Sequence, residues 1–301
     1  MKNIKLFSGT ANLPLAQKVA QELGVELGKV EVIRFADTES RVWVNDDIKG
    51  KNVVLIQSIC PPVDQNLVEF LLLADALSRG KPKKLIAVVP YFGYARQDKI
   101  FREGEALSSQ MVARLIELAG FEKLITIHLH SLNILNFFKI PVVHLPTASV
   151  FAQALTSLKG ASDWIITAPD QVAQGCVAEL AKILKLTTAF LEKTRDYSQK
   201  DKPKTTGLVG KVKGKNVLMF DDLSSTGGTI VGGAKMLKEN GAKKIYVALS
   251  HMVVEAAADR IIQEKSIAKL FVTDTIPQLP KKKLKVVSVA PLIARAITNS
   301  V

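Results

Sequence analysis

Cysteine is scarce in this chain, with only Cys60 and Cys176 among 301 residues. That excludes a disulfide-stapled framework and points to a reducing compartment. Aromatic residues make up 6%, and neither helix-turn-helix nor zinc-finger spacing occurs, so the usual devices for reading nucleic acid are missing. No run approaches the ~18 apolar residues of a membrane helix. The opening MKNIKLFSG has no apolar core of the kind a signal peptide needs. A soluble, cytoplasmic protein without membrane or nucleic-acid partners is therefore expected. Acid is also short relative to base: 28 Asp and Glu stand against 41 Lys and Arg, a formal charge of +13. The lysines are spread along the chain rather than clustered, which suits the attraction of small polyanions. What is present in ordinary amounts is hydrophobic residue, 48%, and total charge, 23%, the composition of a globular protein. At roughly 100–200 residues per domain the length suits two domains.

Val- and Ile-rich runs alternate with amphipathic stretches. Val53–Ile56, Leu85–Val89 and Leu124–Ile127 read as buried strands, and Leu67–Leu77 and Leu107–Ala119 as helices with apolar residues at three- and four-residue spacing. Continuous apolar strands separated by helices predict an α/β fold with a parallel sheet covered on both faces. A repeat runs through it. Lys49-Gly-Lys-Asn-Val-Val recurs 164 residues later as Lys213-Gly-Lys-Asn-Val-Leu. The stretch from Ala74, ADALSRGKPKKLIAVV, recurs 160 residues later as AKMLKENGAKKIYVAL. The difference of four falls in the loop and helix between the two matches. Two similar domains are expected, 1–146 and 147–301, with the last strand and helix, about 286–301, closing the first of them.

The most informative stretch is VLMFDDLSSTGGTIVGGAKML, residues 217–237. Residues 217–220 read as a strand with Asp221 and Asp222 at its carboxyl end, where open α/β sheets bind ligands. Ser224 to Thr229 then turns into a helix. Glycines let several backbone N–H groups converge, and a helix N-terminus adds positive potential, so a phosphate fits. Ser225, Thr226 and Thr229 add hydroxyls. The two carboxylates suit sugar hydroxyls or a metal ion. Together these residues ask for a phosphorylated sugar, although a capped helix beside two surface acids would read the same way.

Asp-Asp followed by Thr-Gly-Gly-Thr resembles the phosphoribosyl-pyrophosphate motif of the phosphoribosyltransferase fold. Several further motifs, in order, are similar to those of the ribose-phosphate pyrophosphokinases: RFADTE (34–39), PYFGYARQDK (90–99), the His130 segment ending in Phe137-Phe138, APD (168–170) and EKTR (192–195). The resemblance runs from LFSGTANLPLAQKVA at residue 6 to VVSVAPLIARAI at residue 286. It implies two tandem phosphoribosyltransferase-like domains, each a mainly parallel sheet flanked by helices. It also implies transfer of the β,γ-pyrophosphoryl group of Mg-ATP to the C1 hydroxyl of ribose 5-phosphate, with AMP released. Gly24 and Gly28 are separated by three residues where a Walker A loop needs four, and Val30 follows Lys29. The chemistry must then rest on positioning and charge neutralisation.

By this resemblance Lys193 and Arg195 are the catalytic cations, placed after the strand Ala189-Phe-Leu. Asp196 to Thr206 would be a flap closing over ATP, though read alone it is a solvated hairpin tip. Phe35, Asp37, Thr38 and Glu39 form the adenine segment. Arg96 and Gln97 complete the nucleotide site, in the family from a neighbouring subunit, so a homo-oligomer is implied. His130 and Asp170 match magnesium-linked positions, Asp221 and Asp222 with Ser225, Thr226, Gly227, Gly228 and Thr229 the ribose 5-phosphate site, and Arg195 borders it. Three departures stand out. Thr38 occupies a frequent glycine, Ser225 a frequent Asp, and 171–176 (QVAQGC) differs from the usual glycine-containing stretch. A base phosphoribosyltransferase would share the 221–229 loop but has no use for RFADTE or YARQDK. A non-catalytic regulatory homologue would be expected to lose the Lys-x-Arg pair or the phosphate loop.

Overall fold

The computed structural model describes residues 4–169, 173–194 and 204–301, with 192–194 and 204–206 described by backbone alone. The chain divides into two compact units: Met1–Leu145 with Thr275–Pro277 and Ser288–Val301, and Pro146–Asp274 with Gln278–Val287.

In the first unit the order is β1 (Ile4–Ser8), α1 (Leu13–Leu23), β2 (Val30–Arg34), β3 (Ser40–Val44), β4 (Asn52–Ile56), α2 (Val63–Arg79), β5 (Lys84–Val89), α3 (Ser108–Leu118), β6 (Lys123–Ile127) and β7 (Val142–Leu145). Its sheet runs β1-β4-β5-β6-β7, every pair parallel. The apolar runs are buried on both faces, as a parallel sheet demands. The β2–β3 pair is a separate antiparallel hairpin. Helix α2 is longer than the expected Leu67–Leu77, because Pro62 precedes it and Asp64 favours its first turn before the apolar spacing begins. Its buried Leu67, Phe70, Leu73 and Leu77 each contribute about 1.5–3 kcal/mol by leaving water. Phe70 stacks on Phe121 at 4.9 Å.

The second unit contains α4 (Ala148–Ala154), β8 (Trp164–Ala168), α5 (Gln174–Leu184), β9 (Thr187–Thr194), β10 (Lys204–Val209), β11 (Asn216–Ser224), α6 (Gly228–Glu239), β12 (Ile245–Met252), α7 (Glu255–Gln263), β13 (Ile267–Thr273) and β14 (Leu284–Val287). Its sheet runs β10-β9-β8-β11-β12-β13-β14, parallel except for the antiparallel β9–β10 pair. From β8 the chain winds outward one way to β9, and from β11 it winds the other way to β12. The order therefore reverses between β8 and β11. The last strand and last helix part company. β14 ends the second sheet, whereas α8 (Ala290–Thr298) packs on α1 in the first unit.

The sequence repeat is a repeat of hydrogen bonds. The Gly50 amide donates to the Lys81 carbonyl at 3.0 Å, as Gly214 does to Gly241 at 2.9 Å. Lys83 donates to Lys51 at 2.8 Å, and Lys243 to Lys215 at 2.8 Å. The difference of four is split. Helix α2 has 17 residues and α6 has 12, five fewer, while the stretch between the matched strand and the helix, 57–62 in the first copy and 221–227 in the second, is one residue longer in the second. Two of the tail lysines also find work. Lys281 bridges Glu255 (2.9 Å) and Asp259 (2.7 Å), and Lys283 donates to the Ile262 and Ile267 carbonyls around the end of α7. Among the described residues no helix is long and apolar enough to cross a membrane.

Candidate active site

The strand before the glycine-rich loop runs further than the sequence suggests. β11 continues through Ser224, so Asp221 and Asp222 lie within it rather than after it. The reason is the long neighbour β12, which pairs Asp221 with Leu249, Leu223 with His251 and Ser224 with Met252. On its other side β11 pairs with β8 only through Met219. The carboxylates thus sit where one flank of β11 has lost its partner, at the point where the strand order reverses. That is where open α/β sheets form a binding crevice. Asp221 and Asp222 are 7% and 9% exposed, and the Asp221 carboxylate accepts from the Asp222 amide at 2.9 Å.

After Ser224 the chain turns through Ser225, Thr226 and Gly227 into α6. The Ser224 hydroxyl accepts from the Gly227 amide at 3.2 Å, and Thr226 Oγ1 from the Gly228 amide at 3.4 Å. Gly227, at φ 72°, is the N-cap, with no side-chain cap and no acid in the first turn. A β-carbon there would lie 3.0 Å from the Ala257 carbonyl oxygen, so the turn rests closely on α7. Cys176, on the first turn of α5, has its thiol pKa pushed up by burial and by the charges of Asp221 and Asp222. This neighbour was not among the residues expected from sequence. Its place in the departing QVAQGC stretch was the only signal.

Lys193 stands within β9, not beyond it, opposite Thr205 of β10. The ladder slips by one residue between Thr205 and Gly207, a bulge that puts one extra residue, Thr206, in β10. The last residues of the expected flap, 204–206, belong to β10. Arg195, Asp170 and the rest of the flap, 196–203, lie outside the described residues.

In the first unit Phe35, Asp37, Thr38 and Glu39 are gathered on the β2–β3 tip. The Phe35 amide donates to the Glu39 carbonyl at 2.9 Å, Thr38 to Phe35 at 3.0 Å, and Glu39 to the Asp37 side chain at 3.1 Å. Phe35 is 48% exposed, an apolar ring offered to solvent. Thr38 has φ 73°, which explains why glycine is favoured there. A β-branched residue in the left-handed region is strained. Arg96 and Gln97 lie elsewhere, both exposed, in the partly buried loop after β5, whose shape is held by Ser109 donating twice to the Gln97 carbonyl. Tyr94 hydrogen-bonds the Asp64 carboxylate.

His130 follows β6 by three residues in a loop fixed by backbone bonds. The His128 amide donates to the Leu145 carbonyl, and the Leu129 amide to His144 Nε2 at 3.0 Å. His144, on β7, was not among the expected residues. An acceptor nitrogen must stay unprotonated, and burial lowers its pKa. The folded chain therefore refuses a proton that the unfolded chain takes near pH 6.5. Stability is fully present above that pH and is lost as pH falls from about 6.5 towards the lower folded value. His144→Gln, which keeps an acceptor but does not titrate, should show a smaller drop in Tm than wild type between pH 7.5 and 5.5. Equal drops would remove His144 as the cause. Among the described residues no group of three or more His, Cys, Asp or Glu converges on a metal site.

Residues 4–120 match the N-terminal domain of ribose phosphate pyrophosphokinase, and residues 179–300 match the phosphoribosyl synthetase-associated domain. Over 303 residues the chain is 39% identical to ribose-phosphate pyrophosphokinase 1 of Streptococcus pneumoniae, covering 99% of this chain and 94% of that one. The chain belongs to the ribose-phosphate pyrophosphokinase family. It is similarly 38% identical to the Streptococcus pyogenes enzyme of the same name, over 98% of this chain and 93% of that one. The crystal structure of phosphoribosylpyrophosphate synthetase from Mycobacterium smegmatis superposes with a TM-score of 0.90 at 33% identity, covering 99% and 98% of the two chains. The family's enzymes are diphosphotransferases, and the expected α/β fold with parallel sheets flanked by helices is the one found.

Proposed function

We propose that this pyrophosphokinase transfers the β,γ-pyrophosphoryl group of ATP to the C1 hydroxyl of ribose 5-phosphate, giving 5-phosphoribosyl 1-pyrophosphate and AMP. One observation carries the reading. Two buried carboxylates stand at the strand-order reversal of the second sheet, just before a helix N-terminus with neither a side-chain cap nor an acid. The turn and first helical turn, Ser225 to Thr229, take the 5-phosphate through N–H groups and hydroxyls, while Asp221 and Asp222 take the ring hydroxyls. Phe35 stacks on adenine, and Asp37 and Glu39, with Thr38 in the turn, accept from its amino group. Arg96 and Gln97 complete the nucleotide site of a neighbouring copy in a cytoplasmic homo-oligomer. That reading is supported by the exposure of both residues, and a reducing compartment by the two free cysteines. The sugar C1 hydroxyl oxygen attacks the β-phosphorus and gives up its proton to solvent, the bond to the α,β-bridging oxygen breaks, and AMP leaves with that oxygen. Lys193 and Arg195 meet the charge that develops on the β-phosphate.

Magnesium belongs to this reading as the partner of ATP, with His130 and Asp170 as its candidate protein contacts. The residues fit it, because magnesium held with a nucleotide needs only one or two carboxylates beside phosphate and water. His130, a nitrogen donor, suits contact through water. When bound, the ion neutralises phosphate charge. The test is nucleotide chromatography of reactions containing ATP and magnesium with or without ribose 5-phosphate. AMP should form only with the sugar phosphate, and no ADP should appear. ADP as the product, or AMP independent of the sugar, overturns the proposal.

A further inference from the structure

Four segments of the first unit converge on one carboxylate. Glu69, on α2, is fully buried. Its Oε1 accepts from the Thr10 amide at 2.6 Å, the Thr10 hydroxyl at 2.9 Å and Gln57 Nε2 at 3.0 Å. Its Oε2 accepts from the Thr10 hydroxyl at 2.8 Å and from Arg34 Nη2 at 2.9 Å. Thr10 is in the turn after β1, Gln57 follows β4, and Arg34 is the last residue of β2. The guanidinium reaches two ways, because Arg34 Nη1 also donates to Ser40 Oγ across the mouth of the hairpin at 2.6 Å. Arg34 and Ser40 form the last rung of the ladder before the tip. The packing around Gln57 is equally tight. A β-carbon on Gly9 would fall 2.4 Å from Gln57 Oε1, so only glycine lets the amide lie where it reaches Glu69.

A buried ion pair adds little stability over apolar residues of the same shape, and its use lies in fixing one geometry. Of the four segments held here, the hairpin is the one that carries an exposed, chemically equipped tip. We propose that Glu69 is a positioning residue for the nucleotide: through Arg34 it fixes the base of the β2–β3 hairpin and so the place of Phe35, Asp37 and Glu39. The inference rests on the assignment of that tip to adenine.

Glu69→Gln separates the tether from the rest of the network. The amide keeps an oxygen for Thr10 and Gln57 but turns an NH2 group toward Arg34, where donor meets donor. Steady-state kinetics with each substrate varied in turn should show the KM for ATP raised about tenfold or more, as expected when a binding group is left loosely placed. The KM for ribose 5-phosphate should stay within about twofold and the Tm within a few degrees, because the Thr10 and Gln57 bonds persist. Arg34→Met, at a side chain 36% exposed, should reproduce the ATP effect, and the double variant should be no worse than either single one. If Glu69→Gln does not fold, Arg34→Met decides alone. Two results overturn the inference: an unchanged KM for ATP in these variants while Phe35→Ala raises it, or equal losses toward both substrates. If Phe35→Ala itself leaves the KM for ATP unchanged, the adenine assignment fails first, and the inference falls with it.

Discussion

Lys193→Ala should lower turnover by about 10²–10³ while the protein stays folded and still binds ribose 5-phosphate. Pyrophosphoryl transfer asks for little covalent help from a protein. Its barrier falls when cations meet the charge on the transferred group at a fixed distance. The backbone of Lys193 is held by the ladder with β10, opposite Thr205, three residues past the last rung with β8 at Phe190. Its position lies beside the slip in the β9–β10 ladder, where β10 carries one extra residue. The neighbouring β8 is one wall of the strand-order reversal, so the lysine belongs to the part of the sheet that borders the crevice. The check is kcat from AMP release, with Tm recorded beside it and ribose 5-phosphate titrated by calorimetry. A variant with intact turnover would remove Lys193 from the mechanism. A variant that no longer binds the sugar phosphate would make the lysine a binding group instead.

Gly227→Ala should weaken ribose 5-phosphate binding by an order of magnitude or more, for two separable reasons. At φ 72° an L-residue costs about 1–2 kcal/mol; a free turn that relaxes to relieve this must be restored on binding, and 1.4 kcal/mol is about tenfold in affinity. The new β-carbon would also lie 3.0 Å from the Ala257 carbonyl and 3.2 Å from Ile261 Cγ1. The carbonyl is backbone of α7 and cannot rotate away, so the turn itself must shift, and with it the first N–H groups of α6. Gly232→Ala is the control. It is in the same helix, exposed, with no atom within 4 Å of the added carbon, and should stabilise by about 0.5–1 kcal/mol with binding unchanged. Normal affinity in Gly227→Ala would mean that the turn does not cradle the phosphate.

The strands were readable because both faces of a parallel sheet are buried, and Val53–Ile56 or Leu85–Val89 then stand out as unbroken apolar runs. Element ends were less readable. Asp221 and Asp222 look like the end of a strand because carboxylates rarely lie within one, and only the register with β12 shows that the ladder continues past them. The two-residue alternation of Val30 and Val32, then Val42 and Val44, which pack inward while Glu31, Arg41 and Trp43 face out, was a legible hairpin signal. Sequence reading took RFADTE as a motif and not as the tip of that hairpin. Least legible were Glu69, Gln57 and Thr10, up to 59 residues apart in the chain. A glutamate at core spacing on an apolar helix face was their one trace. His144 left none, since a single histidine on a strand says nothing about which amide it will accept from.

The repeated hydrogen bonds of β4-α2-β5 and β11-α6-β12 show one frame built twice, yet the two copies cannot do the same work. In the first sheet the strands follow one another across without turning back. Gln57 and Ser58 occupy the places of Asp221 and Asp222. Pro61 and Pro62 stand near the place of the glycine turn, and Asp64 puts a negative charge in the first turn of the helix. A neutral amide and a hydroxyl stand in place of the two carboxylates, and Asp64 puts an anion at the end where the proposed site would take one. On the proposed reading, a chain that carries this frame twice holds a single sugar phosphate.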